Sequence, residues 1–202
     1  MIFFAAAYLV GSFPSAWIMV RLAIKSDIRQ NGSGNVGAFN ALRVSRKKWV
    51  GLVTLLLDLL KGALPAWYVL ANYGETYPLL WLVTAGLILG HCFSFWLKFK
   101  GGRGLAVAAG ALLVFQPVLV AIWLGLWLIF FLPIRKHIIA TLIATAVLPL
   151  IVFFMLDVYF TENILLLTLI STMMIFQRHL ERIPDLVEEK RRAVQKEVEN
   201  GN

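Results

Sequence analysis

The sequence predicts an all-α integral membrane protein of about seven transmembrane helices, with its N-terminus outside and its C-terminus in the cytosol. Three observations carry this. Of its 202 residues, 60% are hydrophobic and 15% charged, whereas a soluble domain carries about 45–50% and roughly 25%. Apolar runs near the ~20 residues needed to cross a bilayer recur along the chain. The cations fall between those runs.

The runs lie near 2–24, 49–71, 77–97, 104–116, 117–133, 138–156 and 162–177. The first is long, lacks a basic leader and has no small-residue cleavage site, so it reads as a span and not as a signal peptide. Its GSFPS stretch (11–15) reads as a kink or a site of close packing. The fourth and fifth runs form one apolar stretch broken at Gln116-Pro117, where proline interrupts helical geometry. It reads as two spans joined by a tight hairpin; the alternative is five spans with a buried re-entrant pair. With the N-terminus outside, the connections at 25–48, 98–103 and 134–137 and the tail from 178 are inner. All 19 Lys and Arg residues then lie on the inner side or, for Arg21 and Lys61, within a span. The outer connections hold Glu75, Asp157 and Glu162 and no cation, as the positive-inside rule requires. Residues 1–180 form the membrane domain, and 181–202 a charged cytosolic tail.

The net charge of +8 suits an anionic lipid or substrate. Nucleic acid is excluded as a partner, because the charge occupies loops between apolar runs and not a soluble face. The single cysteine, Cys92, allows no internal disulfide and reads as packing.

Two inner connections are rich in glycine and polar groups. GSGNVGAFNALR (32–43) interleaves Gly32, Gly34 and Gly37 with Ser33, Asn35, Asn40 and Arg43. Glycine lets the backbone approach a ligand, successive N–H groups form an anion-binding nest, and arginine's fork suits phosphate. FKGGRG (99–104) places Lys100, Gly101, Gly102 and Arg103 where a helix begins, and a helix N-terminus attracts anions. Neither stretch has Walker spacing, and no βαβ context supports a dinucleotide fingerprint. Asp58 and Lys61, at i and i+3, share a helix face inside a span, where charges usually face a polar interior. Either they neutralise each other and order the bundle, or Asp58 orients Lys61 toward the inner site. His91 ends the third span, and His179 follows the seventh beside Arg178. His137 reads as a loop residue. A transporter of a phosphorylated solute is the rival class, but the outer side offers no cations to continue a pathway.

The motifs together resemble the bacterial membrane acyl-phosphate:glycerol-3-phosphate acyltransferases, the PlsY family. GSGNVGAFNALR is similar to that family's GSGNxGATNxxR, and LLDLLKG to its DxxKG. GHCFSFWLKFKGGRGLAVAAG is similar to GHxxPxxxxFKGGKGVATxxG, and RHLERIPDL to RHxxNIxRL. The order and spacing match along nearly the whole chain. The resemblance implies transfer of an acyl group from acyl phosphate to the first hydroxyl of glycerol-3-phosphate, giving lysophosphatidic acid and phosphate. It implies no cofactor, metal or acyl-CoA. The location implied is the bacterial inner membrane, with the site on its cytosolic side. Partners would be membrane lipids and the soluble enzyme that supplies acyl phosphate. Ser33, Arg43 and Arg103 map to phosphate-contacting positions. Asn35, Asn40, His91 and His179 map to the polar shell. Either histidine, or a substrate phosphate, would take the proton. Phe39 stands at the family's Thr, Ser94 at a Pro, Arg103 at a Lys, Arg182 at an Asn and Asp185 at an Arg. A relative with an altered acceptor or without catalysis is the other reading these departures raise.

Overall fold

The first apolar run does not form one helix. In the computed structural model, which describes residues 1–181, it forms α1 (Ile2–Gly11) and α2 (Ser15–Ile24), parted at Ser12-Phe13-Pro14. Proline cannot donate to the helical ladder and its ring collides with the preceding turn. The break exposes backbone carbonyls in an apolar setting, where an unmet group costs several kcal/mol. Other segments meet them. The Ser94 hydroxyl donates to Ser12 O at 2.5 Å, and Lys61 Nζ donates to Phe13 O at 2.9 Å.

A 3₁₀ turn at Ile28–Gln30 leads to α3 (Ala38–Ser45), α4 (Lys48–Tyr73) and α5 (Tyr77–Cys92). After a second 3₁₀ turn at Phe95–Leu97 come α6 (Leu105–Phe115), α7 (Pro117–Ile134), α8 (His137–Phe154) and α9 (Glu162–Leu180). Among the described residues, six segments are long and apolar enough to cross a membrane: Ile2–Ile24, Lys48–Tyr73, Tyr77–Leu97, Pro117–Ile134, His137–Phe154 and Glu162–Leu180. The seventh apolar helix, α6, has 11 residues. At ~1.5 Å per residue it covers about half of a ~30 Å hydrocarbon core. Gln116, with φ −156° and ψ 75°, separates it from α7. The helix α9 runs past the apolar run to Leu180, so Arg178 and His179 form its last turn instead of following it. The Arg178 cation there opposes the negative end of the helix dipole.

Helices meet where side chains are absent. A Cβ on Gly62 would lie 2.1 Å from Val107 O, and one on Gly110 2.1 Å from Leu59 O, so α4 and α6 touch backbone to backbone. On the α1–α5 contact, a Cβ on Gly90 would lie 2.1 Å from Tyr8 O. Lipid gives no hydrophobic drive for helices to associate, so close van der Waals approach through small residues must supply it. Val69, Leu87 and Val107 pack one core, and Leu119, Leu148 and Leu167 a second. A third, with Val20, Ile28, Val36 and Val50, forms a floor beneath the first polar loop.

Candidate active site

Asn40 organises the first loop. It is 3% exposed. Its Oδ1 accepts from Ser33 N at 2.9 Å, and its Nδ2 donates to the carbonyls of Asn35 (3.0 Å), Asn31 (3.1 Å) and Ile28 (3.3 Å). One amide thus ties together four points of a coil that has no ladder of its own. Gly32 and Gly34 stand at φ 62° and 69°, a region glycine enters without penalty. Asn40 therefore shapes the loop from below. Removing it with Asn40→Ala is expected to cost about 1–3 kcal/mol, the penalty for stranding buried polar groups, and to lower activity with it. Thermal unfolding in detergent together with an activity assay checks this; wild-type values in both would refute the role.

Ahead of this coil, Asp27 caps the 3₁₀ turn. Its carboxylate accepts from Arg29 N at 2.9 Å, Arg29 Nε at 3.0 Å and Arg29 Nη2 at 2.6 Å. The guanidinium beside it holds the Asp27 carboxyl down to about 2, so the pair stays ionised at neutral pH.

The second loop folds back on the end of α5. Gly101 N donates to Cys92 O at 3.1 Å and Gly102 N to His91 O at 2.9 Å. A Cβ on Gly102 would lie 2.1 Å from His91 Nε2 and 2.5 Å from Val36 O. The loop is thus wedged between a histidine and the first loop. From α9, Arg178 Nε donates to Gly102 O at 3.3 Å, its guanidinium lies 5.1 Å over the Phe93 ring, and Nη1 pairs with Glu181.

Both loops and the end of α9 enclose a cleft of about 270 Å³, lined by Arg29, Ser33, Gly34, Asn35, Phe99, Lys100, Gly101, Arg103, Arg178 and Glu181. Seven of the sequence-predicted residues meet here: Ser33, Gly34, Asn35, Lys100, Gly101, Arg103 and Arg178. Gly32, Gly37 and Asn40 build the loop behind them. His91 stands behind Gly102, 7% exposed. Buried His179 has its Nδ1 2.8 Å from Ile175 O and lies off the cleft lining. Arg43 is exposed on α3 and also lies off the lining. Arg182 and the tail beyond Glu181 lie outside the described residues. His137, read as a loop residue, begins α8 and stacks on Phe39 with centroids 4.9 Å apart. Cys92 is buried in a core cluster with Ile88, Ala108 and Ile175, as packing requires. Sequence reasoning missed Arg29, Phe99 and Glu181. An acid two residues before an arginine, just ahead of a glycine-rich coil, was the available signal for the first.

The intramembrane charges form a buried ion pair. Lys61 Nζ lies 2.9 Å from Asp58 Oδ1, with side chains 7% and 2% exposed. The Ser15 hydroxyl donates to the same carboxylate, and His91 Nδ1 stands 3.9 Å from it. Lys61 also donates to Phe13 O at the helix break; it lies off the lining of the larger cleft and lines a small crevice with His91, Gly101 and Gly102.

This is a polytopic membrane protein with a cationic, glycine-walled cleft at one end of its bundle. Comparison with known proteins agrees. A sequence model described as glycerol-3-phosphate acyltransferase matches residues 1–189. A glycerol-3-phosphate acyltransferase of Syntrophotalea carbinolica is 37% identical over 190 residues, covering 90% of this chain and 91% of the relative. One from Anaplasma phagocytophilum is 36% identical over 192 residues, covering 93% and 95%. The crystal structure of PlsY, an integral membrane glycerol 3-phosphate acyltransferase, in its glycerol 3-phosphate form, superposes with a TM-score of 0.80 at 30% identity, covering 93% of this chain and 92% of that one. Its lysophosphatidic acid form gives 0.78. The chain belongs to the glycerol-3-phosphate acyltransferase family.

Proposed function

We propose that this membrane acyltransferase moves a fatty acyl group from acyl phosphate to the sn-1 hydroxyl of glycerol-3-phosphate, at the cytosolic face of a bacterial inner membrane. The acceptor hydroxyl oxygen attacks the acyl carbonyl carbon. The carbon–oxygen bond to phosphate breaks, and inorganic phosphate leaves with the electron pair. The hydroxyl proton passes to His91, His179 or a phosphate oxygen. A mixed anhydride already carries a good leaving group, so no covalent enzyme intermediate is needed. The work is to hold two mutually repelling phosphates together and to stabilise the developing oxyanion.

The observation that carries this reading is the cleft, where Ser33, Gly34 and Asn35 face Lys100, Gly101, Arg103 and Arg178. Ser33 and the loop N–H groups would bind phosphate oxygens, with Lys100, Arg103 and Arg178 supplying charge. Arg43, outside the lining, would add its charge to the site at longer range. The confinement of cations to one side supports an N-out, C-in orientation, which opens the cleft to the cytosol, where a soluble enzyme would deliver acyl phosphate.

Purified protein in detergent, given palmitoyl phosphate and glycerol-3-phosphate, is expected to release lysophosphatidic acid and phosphate in equal amounts. Arg103→Ala should lower turnover about 100-fold, as loss of a group that stabilises transition-state charge does. Phosphate release without lysophosphatidic acid would show a different acceptor. No turnover by folded protein would overturn the reading.

A further inference from the structure

We propose that Lys25, Arg46, Lys98 and Arg135 form a cationic rim at the cleft end of the bundle that binds the phosphates of anionic membrane lipids. The proposal does not depend on the chemistry in the cleft.

The backbone singles these residues out. Among the described residues, six non-glycine residues have positive φ: Lys25, Arg46, Lys98, Phe99, Arg135 and Asp157. That region penalises a side chain, and helices that end in it usually do so on glycine. Four of the six are Lys or Arg, and each closes an element: α2, α3, the 3₁₀ turn Phe95–Leu97 and α7. Three of the four are the first residue after a membrane-length segment. Lys25 follows Ile2–Ile24, Lys98 follows Tyr77–Leu97 and Arg135 follows Pro117–Ile134. A cation for the helix dipole needs no such residue: α9 carries Arg178 inside its last turn and closes on Glu181 at φ −55°. A local preference broken at several equivalent points is the mark of a functional demand.

The four corners share one end of the bundle. Lys47 Nζ donates to Ala23 O at 3.2 Å, which sets the α3–α4 corner beside the end of α2. Phe39 of α3 stacks on His137, which sets the α7–α8 corner beside α3. Lys98 leads into the second loop, whose Gly102 abuts Val36 of the first. All four residues are exposed, and among the described residues none of their side chains makes a hydrogen bond or ion pair. The near-surface carboxylates at this end, Asp27 and Glu181, are engaged by Arg29 and Arg178. Exposed apolar side chains stand within three residues of each rim cation: Leu22, Trp49, Trp96 and Leu132. A cation just beyond hydrocarbon-facing residues, with tryptophan at two of the corners, sits at the depth of lipid headgroups. An anionic phospholipid presents its phosphate at that depth.

The test is lipid selectivity, read by electron spin resonance. The protein is reconstituted in phosphatidylcholine with a trace of spin-labelled phosphatidylglycerol or spin-labelled phosphatidylcholine. Wild type is expected to favour phosphatidylglycerol about fivefold, the worth of roughly one near-surface cation per lipid. Raising the salt from about 0.01 M to about 1 M, which shortens the screening length from ~30 Å to ~3 Å, should remove most of that preference. The triple variant Lys25→Gly, Arg46→Gly, Arg135→Gly should lose at least about half of it. Glycine suits positive φ, so this variant should hold the wild-type thermal midpoint in uncharged detergent. Lys25→Arg, Arg46→Lys, Arg135→Lys keeps the charge and should keep the preference. Lys190→Gln, Arg191→Gln, Arg192→Gln removes equal charge from the tail and should keep it too. No preference in the wild type, a preference indifferent to salt, or one that survives the glycine variant or vanishes equally in the tail variant would overturn the proposal.

Discussion

Lys61→Met is expected to destabilise the bundle by about 3–5 kcal/mol, the cost of breaking a buried ion pair by removing one partner. The burial decides which rule applies. An exposed i,i+3 pair would be worth only about 0.3–0.5 kcal/mol, but these side chains are 7% and 2% exposed. Methionine fills similar space while leaving the Asp58 carboxylate with the Ser15 hydroxyl alone, and Phe13 O with the Ser15 N–H alone. Adding Asp58→Asn removes the stranded charge, so the double variant should recover a large part of the loss, short of the Lys61 bond to Phe13 O. Denaturation in detergent measures all three proteins. A Lys61→Met protein as stable as wild type would show that the pair is dispensable to the fold.

Gly102→Ala is expected to lower turnover by about 100-fold, the penalty for a displacement near 1 Å among positioning groups. The added carbon would collide with His91 Nε2 at 2.1 Å and with Val36 O at 2.5 Å. The first contact is a ring already packed against the Asp58–Lys61 pair, and the second is backbone, so neither yields cheaply. The loop must move, and Lys100 and Arg103 move with it. Gly125→Ala on α7 is the control. Nothing lies within 4 Å of the carbon it adds, and alanine favours a helix over glycine by about 1 kcal/mol, so it should match wild type or gain stability. Near-normal turnover in Gly102→Ala would refute the wedged geometry.

Much of this was legible in the sequence, because lipid imposes strong local rules. Apolar length marked the helices, Pro14 and Pro117 marked real interruptions, and the two glycine-rich stretches do share one cleft. What escaped was set by distance in the chain. GSGNVGAFNALR shows Asn40 as one more polar donor; only the folded coil reveals that its amide is consumed by Ser33, Asn31, Asn35 and Ile28. Arg29 reads as an ordinary turn cation until the FKGGRG loop is brought opposite it. The last turn of α9 falls outside the apolar run, which ends at Gln177, yet backbone hydrogen bonding continues past the point where hydrophobicity stops. The sequence shows Asp58 and Lys61 as a pair; a further partner of Lys61, Phe13 O, lies 48 residues away.

The break in the first span also constrains the order of maturation. Phe13 O, beside its local bond from Ser15 N, takes a second from Lys61, 48 residues on, and Ser12 O takes its side-chain donor from Ser94, 82 residues on. A nascent chain entering the bilayer from its N-terminus holds that break without either side-chain donor until α4 has been made, and without Ser94 until α5 has been completed. The opening segment is therefore finished by its successors: the first part of the protein to be synthesised completes its native bonding only once the chain has grown past Ser94.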